Sequence, residues 1–537
     1  MDSLFYSNGT PYFTIGGQVH NSSSCTKENL ENGWKAAEKL GLNTIAIPVY
    51  WRLLEAEEGK FDFTQVDMVL NGAREHNLKL VILWFATWKN GASQYVPNWV
   101  KLQKDRFVWA ETVQHNLTMT LSPHCENTRE ADKNAFCKLM EHLKKRHAED
   151  VLLGIQVENE PGNLGTPRDY SETGEKVYRG QVPEKIVKWL SETDDCEVKR
   201  IWEANGAPTT GDWETFFGKV HAAEICSAYG VSTYINEVSR AGKEIFNVPT
   251  YVNVWLGEMY NRVAGVDVPS GGATSRVVEM WKFLSPDIDG LCPDVYFNDA
   301  LNHLDICRKY SIKNNPLYIP ESGANTFNAL NVLRAVAYHG LTGIHCFGID
   351  SLLDANGELK PQAEEYRHMV TILREMKPLI EKYHGTGRLY AVAQAEGESS
   401  QYFDFGDFVG RAVDFMANGD LHSDPDHGNL DKDHRDSSIF QVRAKGLIVY
   451  IGEGEFYLAG EGFRLNLIRQ DTIEGMSSGV RASSFQNGRH QRYLDLEEGH
   501  FDEEGRFIVN KIRTGDECDT GLWVHSDIGV LHARLEV

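Results

Sequence analysis

Two glutamates, each closing a short apolar run, are the residues of this chain best placed to do chemistry. Glu160 follows Val151-Leu152-Leu153-Gly154-Ile155 within Gln156-Val157-Glu158-Asn159-Glu160-Pro161-Gly162, and Glu321 closes Leu317-Tyr318-Ile319-Pro320. Such runs, bounded by turn residues, read as buried strands, so both carboxyls stand at strand ends. Cleaving a glycosidic bond requires one carboxylic acid to protonate a poor leaving group and one carboxylate to support an oxocarbenium-like transition state. Glu160 is expected to be the acid/base and Glu321 the nucleophile. Asn159 is placed to hydrogen-bond a sugar 2-hydroxyl, and Tyr296, at the end of another apolar run, to donate its phenolic hydrogen to Glu321. If the two carboxyls face each other about 5 to 5.5 Å apart, anomeric configuration is retained. Glu158 is expected on the same strand face as Glu160, one layer deeper and in a structural role.

The elements that must position these groups recur along the first 350 residues. Strand-like runs occur at 12–20, 43–49, 78–85, the run before Glu160, 250–255, 290–296, the run into Glu321, and 343–349, with amphipathic segments between them. The first intervening helix has Thr26 as N-cap and Gly41 as its stop. Eight such units predict a (β/α)8 barrel, whose active site lies at the C-terminal ends of the strands. A last helix from Pro361 to about Tyr383 ends at His384-Gly385-Thr386-Gly387. Beyond it, runs at 440–444, 447–451, 455–459 and 464–468 alternate with Gly-rich turns, the pattern of an antiparallel β-sandwich. The expected domains are a catalytic barrel over 1–388 and a β-sandwich over 389–537.

Aromatic side chains cluster at the strand ends, and sugar rings present flat C–H faces that pack on them. Trp51, Trp88, Trp255 and Phe347 are candidate sugar platforms, with Tyr50 and Trp84 nearby, and core filling is the alternative for each. Arg52 and Arg168 are candidates for hydroxyl contacts. The run His422 to Asp436 is rich in oxygen and imidazole ligands, but its spacing matches neither a zinc site nor an EF-hand loop, so a solvated loop is expected there and no metal. No Walker loop, dinucleotide fingerprint or serine elbow is found, so no cofactor is expected.

Composition narrows the partners. The 537 residues include 54 Lys+Arg against 77 Asp+Glu, a formal charge of −23, which repels phosphate backbones and anionic lipid. Neither nucleic acid nor membrane is an expected partner; an oligosaccharide or glycoside is, and at this size a homo-oligomer. The nine cysteines are dispersed, never in C-x-x-C spacing, and the first residues lack the basic and apolar regions of a signal peptide, so a cytoplasmic setting is expected. The sequons at Asn8, Asn21 and Asn116 carry little weight in that setting.

The motifs also resemble known families. Gln156-Val157-Glu158-Asn159-Glu160-x-Gly162 is similar to the Q-V-E-N-E-Y-G of family 35 β-galactosidases, and Trp51-Arg52-Leu53-Leu54-Glu55 through Phe61-Asp62-Phe63 resembles a motif of family 42 β-galactosidases. Gly17-Gln18-Val19-His20-Asn21-Ser22-Ser23 looks like the G-E-L-H-N-S-S of bacterial relatives near both families. The resemblance implies a retaining, exo-acting glycoside hydrolase with catalytic glutamates on strands four and seven, and β-galactosides as substrate. The chain departs from the pattern at Pro161, Gln18 and Pro48, which bears on the sugar and not on the catalytic pair. Other glycones (β-glucoside, β-galactofuranoside, arabinoside) stay open, as does a carbohydrate-binding barrel without turnover.

Overall fold

A computed structural model describes residues 3–258, 263–395, 398, 400–414, 443–470, 492–518 and 521–537. The run His422 to Asp436 and most of the expected strand 440–444 lie outside these residues.

Six parallel strands, β1 (Thr14–Gln18), β2 (Thr44–Tyr50), β3 (Lys79–Lys89), β4 (Leu152–Asn159), β5 (Thr250–Val254) and β6 (Gly290–Pro293), pair in chain order, and a last strand, Gly343–Phe347, pairs with β1. The segment 317–322 fills the gap between β6 and the last strand, where Val295 N donates to Glu321 O (2.9 Å) and His345 N to Ile319 O (2.9 Å). It forms only isolated bridges, at Ile319 and Ser322. Pro316 and Pro320 explain this, since neither has an N–H for a ladder. Eight positions thus close into the expected barrel.

Helices follow the strands as crossovers. The first, Lys27–Leu40, begins where the Thr26 side chain accepts from Asn29 N and stops at Gly41, which is left-handed with φ 72°. That is a side-chain N-cap and a glycine C-cap, each satisfying backbone groups the helix leaves orphaned. Along β3, Val81, Leu83 and Phe85 point into the barrel and Leu80, Ile82 and Trp84 into the helix layer, the alternation a strand enforces. Phe5 plugs the barrel interior, packing edge-on against Tyr251 and Tyr318.

The last barrel helix, Glu364–Tyr383, is followed by strands beginning at Leu389–Ala393. A six-stranded and a four-stranded antiparallel sheet enclose a core that includes Phe408, Ile448, Phe456, Leu465 and Leu531. The outer face of the larger sheet packs on the barrel's last helices through Leu389, Leu447 and Val449. At that seam the buried Lys445 ammonium bridges Glu365 (2.6 Å) and Glu461, and His368 Nδ1 lies 3.0 Å from Glu461. Among the described residues no helix is long and apolar enough to cross a membrane.

Candidate active site

The sequence supplies the site through the C-terminal ends of its strands. β4 ends on Asn159, and the next residue, Glu160, turns into the barrel mouth with φ 44°. Its N–H donates to the Asn253 Oδ1 of β5 (2.8 Å), which fixes a backbone conformation that a non-glycine residue rarely adopts. Glu321 is buried, 6% exposed. Its Oε1 accepts from Gln18 Nε2 (3.0 Å), Asn159 Nδ2 (3.4 Å) and Asn253 Nδ2 (3.5 Å), and its Oε2 from Tyr296 OH (3.0 Å). Four donors thus converge on this one carboxylate and fix its orientation.

A third carboxyl, Asp294, stands just past β6. One oxygen each of Glu160, Asp294 and Glu321 lies within 4.8 Å of the others. Burial raises the Glu160 carboxyl to about 7, and the Glu321 charge adds to it, while Lys89 and a hydrogen bond with Asp294 work the other way. Asp294 is pushed well above the carboxylate range by burial, then by the Glu321 and Glu160 charges. Lys89, ending β3, donates to Asn159 Oδ1 (2.8 Å) and so links its ammonium to the Asn-Glu motif.

Glu158 does not share the face of Glu160. With φ 65° it breaks the strand alternation and turns into the helix layer, where Oε2 accepts from Trp88 N (2.6 Å). There it meets Asp132, which accepts from Trp84 Nε1, Thr87 Oγ1 and Tyr234 OH, each at 3.0 Å. Both carboxyls are raised, first by burial, as expected of two acids sharing a proton away from water.

The other expected contacts divide. Asn159 and Tyr296 reach Glu321 as described. Phe347 sits opposite Gln18 in register and edge-on to His20 (5.1 Å), beside the site, and Trp255 directly follows β5, partly exposed. Trp51 and Trp88 are not sugar platforms. Both are fully buried: Trp51 donates to Glu55 Oε2 (2.9 Å) and packs on Trp99, and Trp88 packs on Tyr234. Strand parity sends Trp88 outward into helix packing, and Trp51, past the end of its strand, opens the short helix Trp51–Leu54. Arg52 is exposed on the short helix Trp51–Leu54, and no described contact of the carboxyl cluster involves it. Arg168 is held between the rings of Tyr170 (3.7 Å) and Tyr178 (3.8 Å) and paired with Glu175 (2.5 Å), a structural setting.

Lys89, Asn253 and Asp294 meet at the site without having been singled out in the sequence, and Gln18 entered there only as a departure from a family pattern. One signal was available for all four: each is a polar residue in the last positions of a barrel strand or just beyond. Asn253 and Asp294 also share parity with the inward-facing Tyr251 and Cys292.

The chain was compared with known proteins. Residues 20–205 match the glycoside hydrolase family 42 model, described as β-galactosidase, and residues 366–525 match a model described as a domain of unknown function, DUF5597. The mouse "Beta-galactosidase-1-like protein 3" is 26% identical over 234 residues, covering 41% of this chain and 33% of that protein. A β-galactosidase of Xanthomonas manihotis is 24% identical over 32% of this chain and 28% of its own length. The match thus spans about a third of the length of these curated relatives. Among solved structures, a β-galactosidase from Rahnella sp. R3 aligns with a TM-score of 0.49 and 16% identity, covering 74% of this chain and 59% of that one. Of the two families whose motifs the chain resembles, a model of family 42 matches. Residues 20–205, Glu160 among them, are thus similar to glycoside hydrolase family 42.

Proposed function

We propose that this protein is a retaining, exo-acting β-galactosidase that releases terminal β-galactosyl residues by double displacement. The observation that carries the reading is the approach of the Glu160 and Glu321 carboxyl oxygens to within 4.8 Å. That approach agrees with the closer of the two carboxyl separations found in glycosidases, the one that suits direct attack by a carboxylate.

In this mechanism Glu321, ionised among its four donors, attacks the anomeric carbon while Glu160, protonated below its value of about 7, gives its proton to the leaving oxygen. Forming the glycosyl ester removes the Glu321 charge, and with it part of what holds the proton on Glu160. Glu160 then serves as base for the incoming water. Asn159 can exchange its long contact with Glu321 for the sugar 2-hydroxyl. The β-galactoside preference draws on the matched domain and the relatives' names. A cytoplasmic setting belongs to the same reading, on the dispersed spacing of the nine cysteines.

A panel of 4-nitrophenyl glycosides covering β-galactopyranose, β-glucopyranose, β-galactofuranose, both α-arabinose ring forms and β-fucose tests it, with Glu321→Ala as control. Turnover of the galactopyranoside above the others, lost in the variant, is expected. Preference for another sugar would overturn the galactosidase reading and keep the catalytic pair. Silence across the panel would favour a binding barrel.

A further inference from the structure

We propose that Asp294 is a third functional carboxyl of the reaction centre, a positioning residue that holds its own proton against Glu160 while Asn253 ties both groups to Glu321. The inference rests on the glycosidase reading only for its effect on rate; the proton itself is a property of the folded chain.

Asn253 is the hub of the arrangement. Its carbonyl oxygen accepts from Glu160 N (2.8 Å), and its amide nitrogen donates to Asp294 Oδ2 (2.7 Å) and, at 3.5 Å, to Glu321 Oε1. One buried side chain on β5 thereby spans β4, the residue after β6 and the seventh barrel position. An amide orientation that serves Glu160 N with its oxygen must present its NH2 to the two carboxyls, so the three bonds fix one another. Asp294 is 2% exposed, and its own N–H donates to Val254 O (3.1 Å), which anchors it to β5.

Three carboxyls within 4.8 Å of one another cannot all be ionised in a buried setting. Of the three, Glu321 is the one with four donors turned towards it. Lys89 is the ammonium among the described groups acting on Glu160 and Asp294; the others facing Asp294 include Glu160, Glu321, Tyr296, Tyr251, Tyr310, Tyr318 and Cys292, none of these a cation. With the nucleophile of the proposed mechanism carrying the negative charge and Lys89 the positive one, Asp294 is held neutral, and Glu160 with it below about pH 7. The upward displacement of both carboxyls agrees with this.

The arrangement has a use at the second step. Once Glu160 has lost its proton to the leaving group, the Asp294 O–H can donate to the new carboxylate and hold it in line for water. Asp294 neither gains nor loses a proton overall.

Asn has the shape of a neutral Asp with a donor in place of the O–H, so Asp294→Asn discriminates between the states. If Asp294 is neutral, the variant exchanges one uncharged donor for another, and the basic limb of kcat/KM stays within about half a pH unit of wild type. If Asp294 is ionised, the variant removes a negative charge beside Glu160, eases its ionisation, and moves the basic limb down by about one unit or more. Asp294→Ala, lacking any donor, is expected to lose about tenfold or more in kcat/KM, with rescue by the Asn variant. A shifted limb in Asp294→Asn, or an unimpaired Asp294→Ala, would overturn the proposal.

The proton is also read without turnover, by the infrared C=O band of protonated carboxyls in the wild type minus Asp294→Asn difference spectrum near pH 6. A protonated-acid band belonging to Asp294 is expected, and its absence would refute the proposal. If no glycoside is turned over yet the band is present, it is the glycosidase reading that fails and not this one.

Discussion

Replacing Glu321 by Gln removes a negative charge at nearly constant shape, and the structure says what Glu160 must then do. The nearest oxygens lie within 4.8 Å, so the charge centres are roughly 5 Å apart, and at an effective dielectric of about 20 the repulsion is about 3 kcal/mol. That equals about two pKa units at 1.36 kcal/mol each. Glu160 is partly exposed, so water screens some of it, and a drop of about one to two units from its value of about 7 is expected. Burial, the larger cause, stays in place and keeps Glu160 from falling below the ordinary carboxylate range. Carbon-13 labelling of glutamate carboxyls, with Glu160→Gln to assign the signal, reads the midpoint directly. A midpoint in Glu321→Gln equal to that of wild type would refute the electrostatic coupling on which the change from acid to base depends.

Three further perturbations probe other parts of the structure. Tyr296→Phe deletes the 3.0 Å bond to Glu321 Oε2; because Tyr296 is 41% exposed and water can take part of that place, kcat should fall about tenfold with KM nearly constant, and an unchanged kcat would remove the phenol from the account. Glu160→Ala should slow glycosides with poor leaving groups by about 10²- to 10⁴-fold and spare activated aryl glycosides in the bond-breaking step; equal rates on a disaccharide would displace Glu160 as the acid. At the seam with the sandwich, Glu461 sits at about 2 in spite of burial, drawn down by the His368 hydrogen bond and the Lys445 charge. Its folded value lies below its unfolded one, so its contribution, about 3 kcal/mol, is present above about pH 4.5 and is lost as pH falls towards 2. Urea unfolding of Glu461→Gln should show a deficit at pH 6 that closes near pH 2, whereas a constant gap would mean that packing and not charge is lost.

Much of this architecture could be read from the chain, and the exceptions have physical causes. The runs at 43–49 and 250–255 appear as strands because buried parallel strands are apolar on both faces. The first helix is legible to its caps, since Thr26 and Gly41 act locally. The seventh position is legible only as an apolar run into Glu321; its prolines deny it a ladder, and tertiary closure makes it part of the barrel. The two glutamates that meet in the barrel mouth were visible from residue type and position, but the face of Glu158 was not, because two left-handed residues, Glu158 and Glu160, break the period of two on which that inference depends. Strand parity carries Trp88 away from the site and a short helix buries Trp51, so counting aromatic residues near strand ends overestimates the sugar platforms. Asn253 and Asp294 show the converse: single polar residues in apolar runs, without a motif, whose importance lies in which other strand ends they meet.

The central claim is that Glu321 forms a covalent bond to the sugar. Incubation with 2,4-dinitrophenyl 2-deoxy-2-fluoro-β-galactoside, whose fluorine slows turnover of the ester, followed by peptide mass spectrometry, tests it directly. The account predicts one fluorogalactosyl group per chain, attached at Glu321 and absent in Glu321→Ala; a label on Glu160 or Asp294, or hydrolysis of galactosides with inversion and no label, would contradict it.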